Sequence, residues 1–109
     1  MAPSAASARP LPVSVASAQA TTAKQPLPKR HALWVRIGRC EQPGRGYKGV
    51  RWNHPGPAYQ GGLGFAASTW RAFKHSYMPA NAGDASWRMQ MQVANRLYAR
   101  YGTTPWGCG

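Results

Sequence analysis

Apolar residues recur at helical spacing in three stretches of this chain. In the first, Leu33, Trp34, Ile37 and Cys40 form one stripe, which predicts an amphipathic helix from about Lys29 to Glu41. Pro43 and Gly44 end it. A shorter helix is expected to start at Ser68 or Thr69, both good N-cap residues, and to carry Trp70 and Phe73 inward. The clearest helix opens near Asp84, read as its N-cap. Trp87, Met91, Ala94, Tyr98 and Tyr101 line one face, with Val93 and Leu97 beside it. Gly102 suits the position after that helix, and Pro105 prevents its continuation. These stripes read as core, and Gln90 and Gln92 fall at the surface or the packing edge.

Between Gln42 and Phe65 the pattern breaks. Gly and Pro punctuate this insert so densely that only short strands fit, around Val50 to Asn53 and Tyr59 to Phe65. Tyr47, Trp52, Tyr59 and Phe65 are interleaved there with Arg45, Lys48, Arg51, Asn53, His54 and Gln60. Exposed Trp and Tyr faces suit sugar rings or nucleobases, while some of these rings, Phe65 and Tyr47 first, cover a small core. His54 is expected in a loop near the mouth of a groove.

Composition divides the chain in two. Residues 1–29 hold five prolines, three basic residues, no acid and no aromatic residue. Such a stretch cannot bury enough apolar surface to offset its ordering entropy, so it is expected to be a disordered tail or linker before a domain at residues 30–109. It lacks the apolar run after a basic start that marks a secretory signal. No stretch approaches the roughly 18 apolar residues of a membrane span.

Charge narrows the chemistry. Fourteen Lys and Arg face two acids, a formal net of +12. The only acidic side chains, Glu41 and Asp84, cannot build a carboxylate cage for Ca²⁺ or Mg²⁺, and a two-carboxylate glycosidase could use only this pair. Such a surplus favours an anionic polymer as partner: nucleic acid, an anionic membrane or a cell-wall polyanion. No helix-turn-helix, zinc-finger or RNP string points to a specific nucleic acid. His31, His54 and His75 with two cysteines lack zinc-ligand spacing, so no metal and no other cofactor is expected. A Ser-His-Asp triad would have to use Asp84, and no nucleophile-elbow string is present. Cys40 pairs with Cys108 or both are free thiols. An aromatic-rich segment of about 80 residues benefits from a staple, which favours the bridge and an oxidising compartment.

Glu41, the single glutamate, ends the first helix beside Cys40. A helix C-terminus disfavours negative charge, so a carboxylate there is either a surface residue paired with Arg39 or Arg45, or a group with work to do.

Cys40-Glu41-Gln42-Pro43-Gly44, then Tyr59-Gln60-Gly61-Gly62-Leu63-Gly64-Phe65 and Ser68-Thr69-Trp70, together resemble the transglycosylase-like domain of actinobacterial resuscitation-promoting factors. The run from Gln90 to Tyr98, followed by Trp106 and Cys108, continues the resemblance over residues 32–109. It implies an α+β, mainly α, lysozyme-like domain with a short β-hairpin and one disulfide, acting on peptidoglycan. By the same resemblance Glu41 is the general acid/base, and Trp52 a sugar-stacking residue. Asn53, Tyr59, Gln60, Gly61 and Gly62 are the further candidates for substrate binding. Leu63-Gly64-Phe65 stands where the family has Leu-Gln-Phe, and Gln60 or Asn53 is the candidate to replace that polar group. The implied reaction is cleavage of the β-1,4 glycosidic bond by one carboxylate, with a 1,6-anhydro or a reducing end as product. A non-catalytic peptidoglycan-binding module on the same fold is the alternative. The expected setting is a secreted or wall-associated monomer, or a phage-borne wall-penetrating component, with wall polyanions or another wall hydrolase as further partners.

Overall fold

A computed structural model describes residues 25–109. Most of the expected N-terminal tail lies outside the described residues. Residues 26–29 run along the last helix, where the Pro26 carbonyl accepts from Arg88 at 3.0 Å and the Lys29 carbonyl from Asn95 at 3.0 Å.

Helix α1 spans His31–Glu41. Its N-cap position is Arg30 in the left-handed conformation, with no side-chain cap. It ends where Pro43 cannot continue the ladder, the Gln42 N–H closing on the Gly38 carbonyl at 2.7 Å. The buried face is Trp34, Val35, Ile37 and Gly38, while Cys40 is exposed, so the expected stripe is displaced by about a residue. Gly38 is needed for close approach: a β-carbon there would lie 2.9 Å from both methyls of buried Val50.

The insert forms two strands of two residues, not the two longer ones expected. β1 (Tyr59–Gln60) pairs antiparallel with β2 (Phe65–Ala66), Tyr59 opposite Ala66 and Gln60 opposite Phe65. One expected strand, Tyr59 to Phe65, is therefore a complete hairpin. Gly61 and Gly64 both take positive φ, which turns the chain where an extended strand was expected. Val50 makes only an isolated bridge to Pro43.

Helix α2 (Ala67–Phe73) follows β2 directly, with Ala66 at the cap position and no side-chain cap. Ser68 and Thr69 therefore lie inside the first turn and do not cap it. Helix α3 (Trp87–Tyr101) is capped by Ser86, whose Oγ accepts the Met89 N–H at 3.1 Å. Asp84 is not the cap; it belongs to the 3-10 turn Ala82–Asp84 that precedes α3.

The core gathers Trp34 and Ile37 of α1, Leu63 and Phe65 of the hairpin, Trp70 of α2, Met91, Val93, Ala94 and Leu97 of α3, and Trp106. Tyr101, expected in this stripe, is 49% exposed. Each buried indole keeps its N–H partnered: Trp34 with Asn95 at 3.0 Å, Trp52 with the Tyr47 carbonyl at 2.9 Å, Trp70 with the Pro79 carbonyl at 2.8 Å and Trp106 with the Leu63 carbonyl at 3.0 Å. Rigid rings with satisfied polar ends hold a small core in one arrangement. Cys40 and Cys108 form the disulfide, with Cα atoms 6.0 Å apart. The mainly helical architecture with a small hairpin and one disulfide is as the sequence implied. No helix among the described residues is long and apolar enough to cross a membrane.

Gln90 is the main polar exception in the core. It is fully buried at 0% exposure, where a surface or packing-edge position was expected. Its Nε2 lies 2.9 Å from the Trp52 and Ala82 carbonyls and 3.0 Å from that of Ala85, and its Oε1 accepts the Gly62 N–H at 2.8 Å. One side chain of α3 thus joins the insert, the 82–84 turn and the hairpin. Gln90→Leu keeps the volume but strands these backbone groups, and is expected to lower unfolding free energy by about 3 kcal/mol in urea titration.

Candidate active site

Glu41 is half-buried at the last position of α1. Its Oε2 accepts the backbone N–H of Cys108 at 3.2 Å. The neighbouring Cys40 is bonded covalently to the same residue, so two consecutive residues of α1 converge on Cys108. On the other side stands the hairpin turn. Gly64, at φ +63°, faces the carboxylate, and a β-carbon there would lie 3.5 Å from Oε1. A positive-φ glycine lets backbone approach the carboxylate while leaving space beside it. Of the alternative surface pairings, that with Arg39 is not seen: the Arg39 Nε donates to the Lys48 carbonyl at 2.7 Å.

Two depressions lie on the segments that flank this carboxylate, neither of them lined by Glu41 itself. One, of about 90 Å³, is lined by Gly64 together with Tyr59, Ala66, Thr69, Pro105 and Trp106. The other, of about 530 Å³, is lined by Gly44, Arg45, Gly46, Arg51, Trp52 and Asn53. The second is tied to Glu41 through the next residue, since the Gln42 carbonyl accepts the Arg51 N–H at 2.7 Å. The arrangement offers one oxygen held in place and one facing Gly64 of the hairpin turn.

The expected binding residues divide into two groups. Tyr59 is 61% exposed and borders the smaller depression, and exposed Asn53 borders the larger. Trp52 lines the larger one too, but it is only 7% exposed, with its ring packed on Gly62 and its N–H turned to Tyr47. That burial leaves it an edge and not a free stacking face. Gln60 is also buried, and its Oε1 accepts the Ala82 N–H at 3.1 Å, so it braces the hairpin and does not replace a polar groove residue. Gly61 and Gly62 are buried against Gln90 and Trp52. Gly64, Pro105, Trp106 and the Cys108 amide were not anticipated as site components, and Thr69 was read only as a cap. The adjacency of Glu41 to Cys40 was the one available signal for the amide, because a bridge to Cys108 brings that backbone alongside.

The His54 Nδ1 lies 3.2 Å from the Gly56 nitrogen and 3.0 Å from the Tyr59 carbonyl, and the His54 carbonyl takes the Gly61 N–H at 2.8 Å, so it shapes the loop before β1. His31 opens α1 among aromatic rings. Its Nε2 is 2.9 Å from the Tyr47 hydroxyl, and Tyr47 stacks on Trp87 with centroids 4.0 Å apart. Burial, and then Lys48 and Arg88, push the imidazole below its ordinary value of 6.5. A lowered folded-state value means the unfolded chain binds the proton more readily, so stability is complete above pH 6.5 and falls as pH drops below it. Thermal melts from pH 7.5 to 5 should show this decline, and His31→Gln should flatten it.

The sequence model of the transglycosylase-like domain family matches residues 29–109. The chain belongs to this family. Over 74 residues this transglycosylase-like domain is 35% identical to the resuscitation-promoting factor Rpf1 of Corynebacterium glutamicum, covering 67% of this chain and 35% of Rpf1. The chain thus spans about a third of that relative's length. No solved structure matches it. The Cys40-Glu41 pair, the hairpin glycines, Thr69 and Cys108 all fall inside the matched segment, so the part of the transglycosylase-like domain that surrounds the carboxylate is the part shared with the family.

Proposed function

We propose that this domain cleaves the β-1,4 bond between N-acetylmuramic acid and N-acetylglucosamine in peptidoglycan, with Glu41 as the sole general acid/base. The observation that carries this reading is the placement of Glu41, with Oε2 held by the Cys108 N–H and Oε1 facing the side-chain-free Gly64 of the hairpin turn. Membership of the transglycosylase-like family supports it. The other side-chain acid, Asp84, belongs to the 82–84 turn, where Gly83 packs on the backbone of His54.

One carboxyl group suffices if the sugar supplies the nucleophile. Glu41, protonated, donates its proton to the bridging oxygen as the bond from that oxygen to C1 of the muramic residue breaks. The resulting carboxylate then removes the proton of the C6 hydroxyl of the same residue, whose oxygen bonds to C1 and closes a 1,6-anhydro ring. Water in place of that hydroxyl gives a reducing end. Tyr59 and Asn53 are the side chains of the expected set left open to contact the glycan. The domain would act as a monomer in the wall, where an oxidising environment keeps Cys40 and Cys108 paired.

Digestion of purified peptidoglycan, with products read by mass spectrometry, tests this. Muropeptides with 1,6-anhydro ends are the expected result, and reducing ends would assign hydrolysis instead. If the folded, disulfide-bonded protein sediments with the walls and releases nothing, the reading fails and a binding module replaces it.

A further inference from the structure

A concave surface lies on the basic loop that follows Glu41. Arg45, Arg51 and Asn53 form polar walls around Gly44, Gly46 and the edge of Trp52, enclosing about 530 Å³ with no acid among the lining residues. Few protein carboxylates are available to neutralise these cations, because the chain has only two acidic side chains and neither Glu41 nor Asp84 lines the depression. Nor is the loop a loose appendage. The Gly44 N–H reaches the Gly49 carbonyl at 3.1 Å, the Trp52 indole holds the Tyr47 carbonyl at 2.9 Å, and the Arg51 N–H holds the Gln42 carbonyl at 2.7 Å. The loop backbone that carries the two arginines is therefore pre-formed, which lowers the ordering cost of binding.

We infer that this depression binds the carboxylate-bearing stem peptide of the same peptidoglycan strand that Glu41 acts on, and so selects peptide-substituted over neutral glycan. The inference rests on the glycosidase reading of Glu41. It follows from connection and charge together. The glycan backbone is uncharged apart from what its muramic residues carry, and those residues bear the lactyl-linked peptides with free carboxylates. The depression starts three residues after Glu41, at Gly44, and its Arg51 is bonded through the backbone to Gln42, so it continues directly from the segment that carries the carboxylate. A separate polyanion would not need that attachment.

The test uses the full, disulfide-bonded chain carrying Glu41→Gln, so that sedimentation reads binding without turnover. Three wall preparations are compared: acid-stripped of phosphodiester polymers with free stem carboxylates, the same with those carboxylates amidated, and unstripped. Arg45→Gln/Arg51→Gln is set against Arg96→Gln/Arg100→Gln, which removes equal charge from the exposed face of α3. Circular dichroism confirms that both variants fold. On stripped, free-carboxylate walls the loop pair should weaken binding about fivefold, as two solvent-exposed charge pairs would, and the α3 pair should not. On amidated walls the loop variant and its parent should bind alike. Equal losses from both double variants would reduce the effect to net charge and overturn the inference. A loss confined to unstripped walls would assign the depression to a phosphodiester polymer, and it too would overturn it. Failure of the wild-type chain to release muropeptides is read separately, and it removes the glycosidase reading without erasing the carboxylate-dependent contrast.

Discussion

Glu41→Gln is expected to lower muropeptide release by a factor of about 10² to 10⁴ while leaving the fold and wall binding intact. The amide has the shape of the carboxyl group, and its oxygen can still accept the Cys108 N–H now held by Oε2 at 3.2 Å. What it cannot do is give up a proton to the leaving oxygen and take one back. The substitution therefore separates chemistry from architecture, which Glu41→Ala would not, since alanine also removes the acceptor at Cys108. Initial rates on solubilised glycan, paired with urea titration, make the comparison. Retained turnover in a folded Glu41→Gln chain would remove Glu41 from the mechanism.

Cys40→Ser/Cys108→Ser, or reduction of the wild-type protein, is expected to cost about 4 kcal/mol by the loop-closure estimate for a bridge of sequence separation 68. That is a large share of the 5–15 kcal/mol typical of a domain. The loss should reach the site before the fold melts. Cys108 holds Glu41 through its amide and Cys40 through sulfur, so cutting the covalent tie frees the donor that fixes the carboxylate. Activity of the reduced protein should therefore fall at temperatures where circular dichroism still reports folded helices. Parallel loss of both signals would mean that the disulfide serves stability alone.

Helices were the legible part of the sequence, because burial of one face leaves a period that survives in the residue string. Their ends were less legible. Ser86, not Asp84, caps α3, and two capping types, Ser68 and Thr69, lie inside α2 unused as caps. A cap depends on where the backbone turns: α2 starts directly after the strand ending at Ala66, and α3 only after the 82–84 turn. The insert was legible as irregular but not in detail, since pairing of two residues per strand leaves no alternation to detect. Gln90 shows the limit most clearly. Its polarity argued for solvent, yet four backbone partners from three segments take it into the core, and no local pattern announces Trp52 and Gly62, which lie 38 and 28 residues away. Glu41 stood out through the acid inventory and the family pattern. The backbone amide that holds it has no side-chain signature to read.

The position of that amide also sets an order of events during synthesis. Glu41 leaves the ribosome 67 residues before Cys108 does, so the nascent helix α1 emerges with its carboxylate unheld. The covalent tie to Cys40 further requires an oxidising compartment. Whatever chemistry the carboxylate performs, its final geometry is postponed until translation has passed residue 108 and the thiols have met an oxidant. In a reducing compartment the site would lack that covalent constraint, and an oxidising one supplies it.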